Sequence, residues 1–323
     1  MRAAAGPLIG AGHAMRCLAV AQALADLGCE TALAVDEAAI AAAPRLAAAG
    51  IALIGPEPRA CALALLDGYG FTIEDEQAWT AAGAKVAVFE DAPGRLHACD
   101  LLIDPAPGRR VKDYETFAPG ARLLLGPGYA PVARAFADLR AGVLARRARP
   151  GPLRRVLVST GLTDAGEIAA KALAALGTFA AIEAIDLAVG AAAPSLPALR
   201  AAAEADRRVR LHLDAVDMAR LTAEADLGVG AAGVSTWERC ALGLPGVVAI
   251  AAANQTDNAA ALTAAGAALV VGEAGRLTME ALAGSIAALE PAQVRADMSG
   301  AAAALVDALG AERIGRALAE MAG

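Results

Sequence analysis

The chain has 323 residues and a net charge of −7, from 28 basic and 35 acidic side chains, with 57% hydrophobic and 3% aromatic residues. The length predicts about two domains; so apolar a composition excludes a disordered chain, and the acidic balance excludes a duplex nucleic-acid binder. No apolar run reaches the roughly 18 to 20 residues that span a bilayer, and Met1 to Gly12 lacks a secretory pattern, so a cytoplasmic location without membrane insertion is expected.

Alanine exceeds a quarter of the residues, so alanine-rich stretches are read as helix-favouring filler. In chain order, a helix over Gly12 to Gly28 precedes a strand at Thr31 to Val35, and a second helix precedes a strand near Ile51 to Ile54. Ala60 to Leu66 reads as a strand ending at Asp67-Gly68-Tyr69-Gly70, and Lys85 to Phe89 as one ending at Glu90-Asp91. Leu101 to Ile103 and Leu123 to Leu125 follow. Arginine-dense residues 138–151 offer few apolar anchors and read as a linker between domains at 1–137 and 152–323. Beyond it, strands are predicted at Val156 to Ser159, Ile185 to Val189, Val209 to Leu213, Leu227 to Val229, Val247 to Ile250 and Ala268 to Val271. The alternation predicts an α/β protein, two Rossmann-like domains facing a cleft, with ligands at the carboxyl ends of the strands.

Several motifs fall at such ends. Gly10-Ala11-Gly12-His13 opens the first helix; its glycines allow close backbone approach, and the helix start favours a neutral imidazole able to take a proton from water. The bland reading is a tight turn with a packed histidine. Tyr69 could bond a sugar or simply sit half-buried, and Glu90-Asp91 reads as a structural turn. His97-Ala98-Cys99-Asp100 lacks a second metal-ligand pair, so it is read as structural. The five cysteines are scattered without metal spacing and read as free thiols.

The most informative loop is Gly230-Ala231-Ala232-Gly233-Val234-Ser235-Thr236-Trp237-Glu238. It places small residues, a helix start and two hydroxyls after a strand, a combination suited to a diphosphate. Gly233, Ser235 and Thr236 are the expected phosphate contacts, and Glu238 either holds a ribose or closes a capping box with Ser235. Asn254 and Gln255 follow another strand and can grip acetamido groups or hydroxyls; a plain helix cap is the alternative. Ser159-Thr160-Gly161-Leu162-Thr163-Asp164 joins a strand to a helix, with Asp164 as a candidate cap.

Gly10-Ala11-Gly12-His13 with Arg16-Cys17-Leu18-Ala19, the Asp67-Gly68-Tyr69 turn and the Ser235-to-Glu238 loop together resemble the bacterial UDP-sugar hydrolases of pseudaminic acid biosynthesis. That resemblance implies the glycosyltransferase-B fold and hydrolysis of a UDP-linked diacetamido-trideoxy-altrose at the anomeric C–O bond, a step toward surface or flagellin glycosylation. It implies His13 as the catalytic group, Gly10, Gly12, Tyr69, Asn254 and Gln255 as sugar contacts, and Gly233, Ser235, Thr236 and Glu238 as nucleotide contacts. Where the family carries Arg-x-Asp, Asp-His-Tyr and a Gly-Gly turn, this chain has Arg2 with Ala4, Gly68 and Thr160. No cofactor and no metal are expected. The alternatives are a glycosyltransferase on the same scaffold and a non-catalytic nucleotide-sugar binding protein.

Overall fold

The computed structural model describes residues 1–6, 11–42, 46–47, 49–149, 151–215 and 217–323. The chain forms two compact units, Met1–Arg134 with Ala308–Gly323, and Ala135–Asp307.

The first unit is built on a parallel sheet of β1 (Arg2–Ala3), β2 (Ala32–Ala34), β3 (Ala52–Ile54), β4 (Leu63–Asp67), β5 (Lys85–Phe89), β6 (Leu101–Asp104) and β7 (Arg122–Leu125). Their order is β3-β2-β1-β4-β5-β6-β7. The second unit repeats the plan with β8 (Arg155–Ser159), β9 (Ala184–Val189), β10 (Val209–Leu213), β11 (Leu227–Ala231), β12 (Gly246–Ile250) and β13 (Leu269–Glu273), in the order β10-β9-β8-β11-β12-β13. Runs such as Leu101-Leu102-Ile103 and Val156-Leu157-Val158 are buried throughout, the pattern of parallel strands covered on both faces. In each sheet the first strand lies between the second and the fourth, and ligand crevices of parallel sheets open at the carboxyl ends of such a reversal.

The sequence shows almost nothing of β1, yet it is central. Its two residues suffice because neighbours complete the ladder: Ala4 N–H donates to Asp67 O at 2.8 Å and Ala34 N–H to Met1 O at 2.6 Å. That pairing sets Ala3 opposite Asp67 and so fixes where β4 ends.

One expectation about organisation differs from what forms. Residues 138–151, read as a linker, are largely helical: α4 (Arg134–Arg147) buries Phe136, Val143 and Arg147. The final stretch forms α11 (Ala292–Leu305), in the second unit, and α12 (Gly310–Ala322), which joins the first. There α12 packs against α1 (Gly12–Asp26), and Gly315 lets it close on Ala23. All five cysteines are free, with Cys17 and Cys240 buried. Among the described residues, no helix is long and apolar enough to cross a membrane.

Candidate functional site

In the first unit the predicted histidine sits in a polar network at the carboxyl ends of β4 and β5. His13, on the first turn of α1, is 5% exposed, and its Nδ1 lies 2.7 Å from Oδ1 of Asp67, the last residue of β4. An ionised carboxylate only accepts, so Nδ1 carries the proton and Nε2 is left as the basic nitrogen. Arg16, one turn further along α1, grips the same carboxylate with Nε at 2.5 Å and Nη2 at 2.6 Å. Its Nη1 reaches Asp91 Oδ1 at 2.6 Å, and its guanidinium lies 4.6 Å from the centroid of the Phe89 ring.

Electrostatics follow from this packing. Burial raises the Asp67 carboxyl's pKa, but Arg16 and His13 outweigh it and hold the group well below the usual carboxylate range. For Asp91 burial is likewise outweighed by Arg16 and the Tyr69 hydrogen bond, so its pKa is lowered. Burial opposes the charge on Arg16, but Asp67 and Asp91 raise its pKa well above the ordinary value. Two carboxylates around one bidentate guanidinium make a rigid support for the imidazole, with one negative charge in excess while the ring is neutral.

Tyr69 completes the group. Its hydroxyl donates to Asp91 Oδ2 at 2.7 Å and its ring stands edge-on to His13, with centroids 4.5 Å apart. It is 52% exposed, so His13 sits beneath a solvent-facing phenol. Gly12 is the first residue of α1; Gly10 lies outside the described residues. Asp67, Arg16 and Asp91 complete this network; in the sequence they stand within motifs but carry no assigned chemistry, with Glu90-Asp91 read as a structural turn. The signal present was positional: Arg16 lies at i+3 from His13, on the same helical face, and both aspartates follow predicted strands.

Behind this group a second network braces the loop after β5. Glu90 Oε1 accepts from Asp91 N–H at 3.0 Å, and Oε2 takes Arg95 Nε at 2.8 Å. His97 is held between Glu76, 2.7 Å from Nδ1, and Glu90, 3.1 Å from Nε2. Burial would lower the His97 pKa, but the two glutamates raise it, so the ring is an imidazolium in a structural ion pair. Glu76, His97 and Cys99 bring one donor atom each within 4.8 Å. With both ring nitrogens bound to carboxylates and burial pushing the Cys99 thiol up to about 12, the donor set suits a proton better than a metal.

In the second unit β11 runs into a short loop and α8 (Ser235–Ala241). The helix begins at Ser235, with Val234 as its cap residue and no side-chain cap bond from it. Both hydroxyls are engaged by a residue the sequence reading passed over. Arg239 donates to Thr236 Oγ1 at 2.9 Å, to Ser235 Oγ at 3.3 Å and to Ala231 O at 2.6 Å. Arg239 is 4% exposed and its hydrogen bonds reach only neutral oxygens. Burial accordingly lowers its pKa. A hydroxyl that accepts from guanidinium turns its own proton elsewhere. Thr236 gives its proton to Ala231 O at 3.1 Å, and Ser235 Oγ accepts from Arg239 at 3.3 Å.

The Asn254-Gln255 segment comes to this loop. A Cβ on Gly233 would meet Gln255 Nε2 at 3.1 Å, and Gln255 Oε1 accepts from Ala251 N–H at 2.9 Å. Asn254 lies exposed in the short turn Ala253–Gln255 ahead of α9 (Thr256–Ala265), whose cap residue, Gln255, makes no side-chain cap bond. Glu238 is half-buried. At the carboxyl end of the neighbouring β8, Asp164 does cap: it accepts from Ala169 N–H at 3.0 Å and from the Ser195 hydroxyl at 2.7 Å. Thr160, standing where the resembled family has glycine, is buried with its hydroxyl unpaired among the described residues.

Comparisons with known proteins agree with this architecture. Residues 212–314 match the glycosyltransferase family 28 C-terminal domain. The spore coat polysaccharide biosynthesis protein SpsG of Bacillus subtilis (strain 168) is 27% identical over 196 residues, a match spanning 60% of this chain and 56% of that protein. Among solved structures, MurG of Acinetobacter baumannii superposes with a TM-score of 0.70 at 16% identity, covering 99% of this chain and 98% of that one. The spinosyn rhamnosyltransferase SpnG, complexed with thymidine diphosphate, gives 0.64 at 18% identity over 95% and 97%. With two parallel α/β units on seven- and six-stranded sheets, the chain has the glycosyltransferase-B fold.

Proposed function

We propose that the chain is a nucleotide-sugar enzyme that hydrolyses a UDP-linked diacetamido-trideoxy-altrose to UDP and the free sugar. The observation that carries this reading is the His13–Asp67 pair, a buried carboxylate holding an imidazole with Nε2 as its basic nitrogen. Support also comes from the family 28 match over the β11–α8 region and from a neighbour of the same fold whose printed description includes thymidine diphosphate.

Gly233, Ser235 and Glu238 hold UDP, with the loop's free N–H groups and the Ser235 hydroxyl on the diphosphate and Glu238 on the ribose, while Thr236, expected as a phosphate contact, has its N–H on Gly233 O and its hydroxyl on Ala231 O and so supports the loop instead. His13 Nε2 takes a proton from water; the water oxygen bonds to the anomeric carbon as the bond to the diphosphate oxygen breaks, and UDP leaves with that electron pair. Asp67 stabilises the imidazolium so formed, and Tyr69, Asn254 and Gln255 place the sugar. No cofactor or metal takes part.

A second reading, transfer of the sugar to an acceptor hydroxyl, is favoured by the family name of the matched domain and uses the same base. Incubation with the UDP-sugar and no acceptor separates them. UDP release, with label from H₂¹⁸O appearing on the sugar, supports the hydrolase. Turnover only with an added acceptor supports the transferase, label on UDP refutes the proposed bond cleavage, and binding without turnover leaves a binding protein.

A further inference from the structure

The nucleotide loop lies at the carboxyl edge of the second unit's sheet; the opposite edge carries a cavity of about 410 Å³. It is lined by residues just ahead of β8, β11 and β12, among them Arg154, Asp226 and Pro245, together with Arg146, Arg147, Arg149 and Arg295. Five guanidinium residues thus face one carboxylate, in a chain whose net charge is −7.

Among the described residues, only Arg154 of these cations makes an ion pair, and the hydrogen bonds of Arg146, Arg147 and Arg295 go to backbone carbonyls. Arg147 is buried and donates to Ala225 O at 2.9 Å and Thr222 O at 2.8 Å, while its Nε has no hydrogen-bond partner. Arg295 is also buried and donates to Leu289 O at 2.7 Å, Glu290 O at 2.5 Å and Gly151 O. Arg146 reaches Ala223 O, and the exposed Arg149 stands beside it. Arg154 pairs with Glu183 at 2.8 Å. The lone lining carboxylate, Asp226, spends Oδ2 on the backbone N–H groups of Arg154 and Arg155.

Apart from Gly151 O, the carbonyls that receive these guanidiniums belong to the carboxyl-terminal ends of α7 (Met218–Glu224) and α10 (Met279–Ala288) and the residues following them. Capping explains why the arginines are held there, but a helix end supplies only about half a negative charge. Asp226, Glu183, the Glu290 carboxylate beside Arg295 and two helix ends together offset about four of the five positive charges and leave roughly one. Burial, with the like charge of Arg146, accordingly pushes the Arg147 pKa down to about 9.

We propose that this cavity is an anion site that takes a phosphate group, separate from the nucleotide loop. A phosphate group is opposite in sign to the uncompensated charge, and planar guanidinium forks match its oxygens. The phosphate could be free in solution or the headgroup of an anionic lipid.

The test is thermal unfolding of the full chain with inorganic phosphate at constant ionic strength. Wild type should melt about 3 °C higher at phosphate roughly tenfold above its dissociation constant. The shift should vanish in the Arg146→Glu/Arg149→Glu variant and survive in Ser235→Ala. If the double variant does not fold, Arg149→Ala, on an exposed side chain, should weaken phosphate binding at least about threefold. Pelleting with phosphatidylglycerol vesicles but not phosphatidylcholine vesicles, lost in the same variants, marks the headgroup as source; a phosphate shift without pelleting marks free phosphate. No shift in wild type, a shift that survives the arginine variants, or one that disappears in Ser235→Ala overturns the proposal.

Discussion

Asp67 Oδ1 and His13 Nδ1 are 2.7 Å apart, joining residues separated by 54 positions at the end of β4 and the start of α1. The contact fixes the imidazole tautomer and, with Arg16 on the other oxygen, leaves the ring little freedom. Removing the proton acceptor or the base should therefore affect turnover far more than nucleotide affinity. We expect His13→Ala and Asp67→Asn each to lower kcat for UDP release by about 10²- to 10⁴-fold, while UDP affinity, measured by titration calorimetry, stays within about threefold because neither residue is assigned to the nucleotide. Equal loss of UDP binding in both variants would count against the assignment.

Arg239 makes a sharper test of the nucleotide loop. Replacing it with Met keeps an apolar stem but removes the buried cation and the bonds that orient Ser235 and Thr236. UDP affinity should fall about tenfold or more while uridine affinity is unchanged, since charge-assisted contacts of about 1.5 to 3 kcal/mol act only on the phosphates. If uridine and UDP weaken in parallel, Arg239 is structural only.

Gly68 stands where the resembled family has histidine, and packing explains the glycine in this chain. A Cβ there would come 2.6 Å from Ala4 Cβ and 3.1 Å from the Phe71 ring. Gly68→Ala should cost about 1 to 3 kcal/mol in urea unfolding, and Ala4→Gly in the same chain should recover part of it, a coupling measurable as a double-mutant cycle. Additive effects would show that Ala4 is not the obstacle.

The His97 ion pair predicts a pH window. Its pKa is raised by Glu76 and Glu90 against burial, so its contribution is complete below 6.5 and fades as pH climbs through the raised value. Glu90 has a lowered pKa, because the His97 bond and Arg95 outweigh burial; its contribution is complete above 4.5 and fades as pH falls through the lowered value. Both are in full between 4.5 and 6.5. Wild type should therefore lose melting temperature from pH 7 upward more steeply than His97→Gln. Parallel profiles for the two proteins between about pH 6 and 9 would refute the pairing.

Much of this was legible in the chain itself. Continuous apolar runs such as Leu101 to Ile103 and Val247 to Ile250 announce buried parallel strands, and the Gly12 start of α1 and the Gly233-to-Ser235 step announce loop-to-helix turns, because hydrophobic period and backbone freedom are local properties. Residues 138–151 misled because arginine reads as solvated surface. In the folded chain guanidiniums such as that of Arg147 cap another helix's carbonyls while their stems cover apolar surface.

The sequence by itself determined the doubly repeated α/β plan, since that follows from short-range pattern. Only the tertiary structure decided that Asp67, Arg16, Asp91 and Tyr69 surround His13, that Arg239 orders two hydroxyls, and that α12 closes the first unit. Parallel registry brings the ends of β4 and β5 side by side, and contacts between residues up to 75 positions apart leave no periodic trace in the chain.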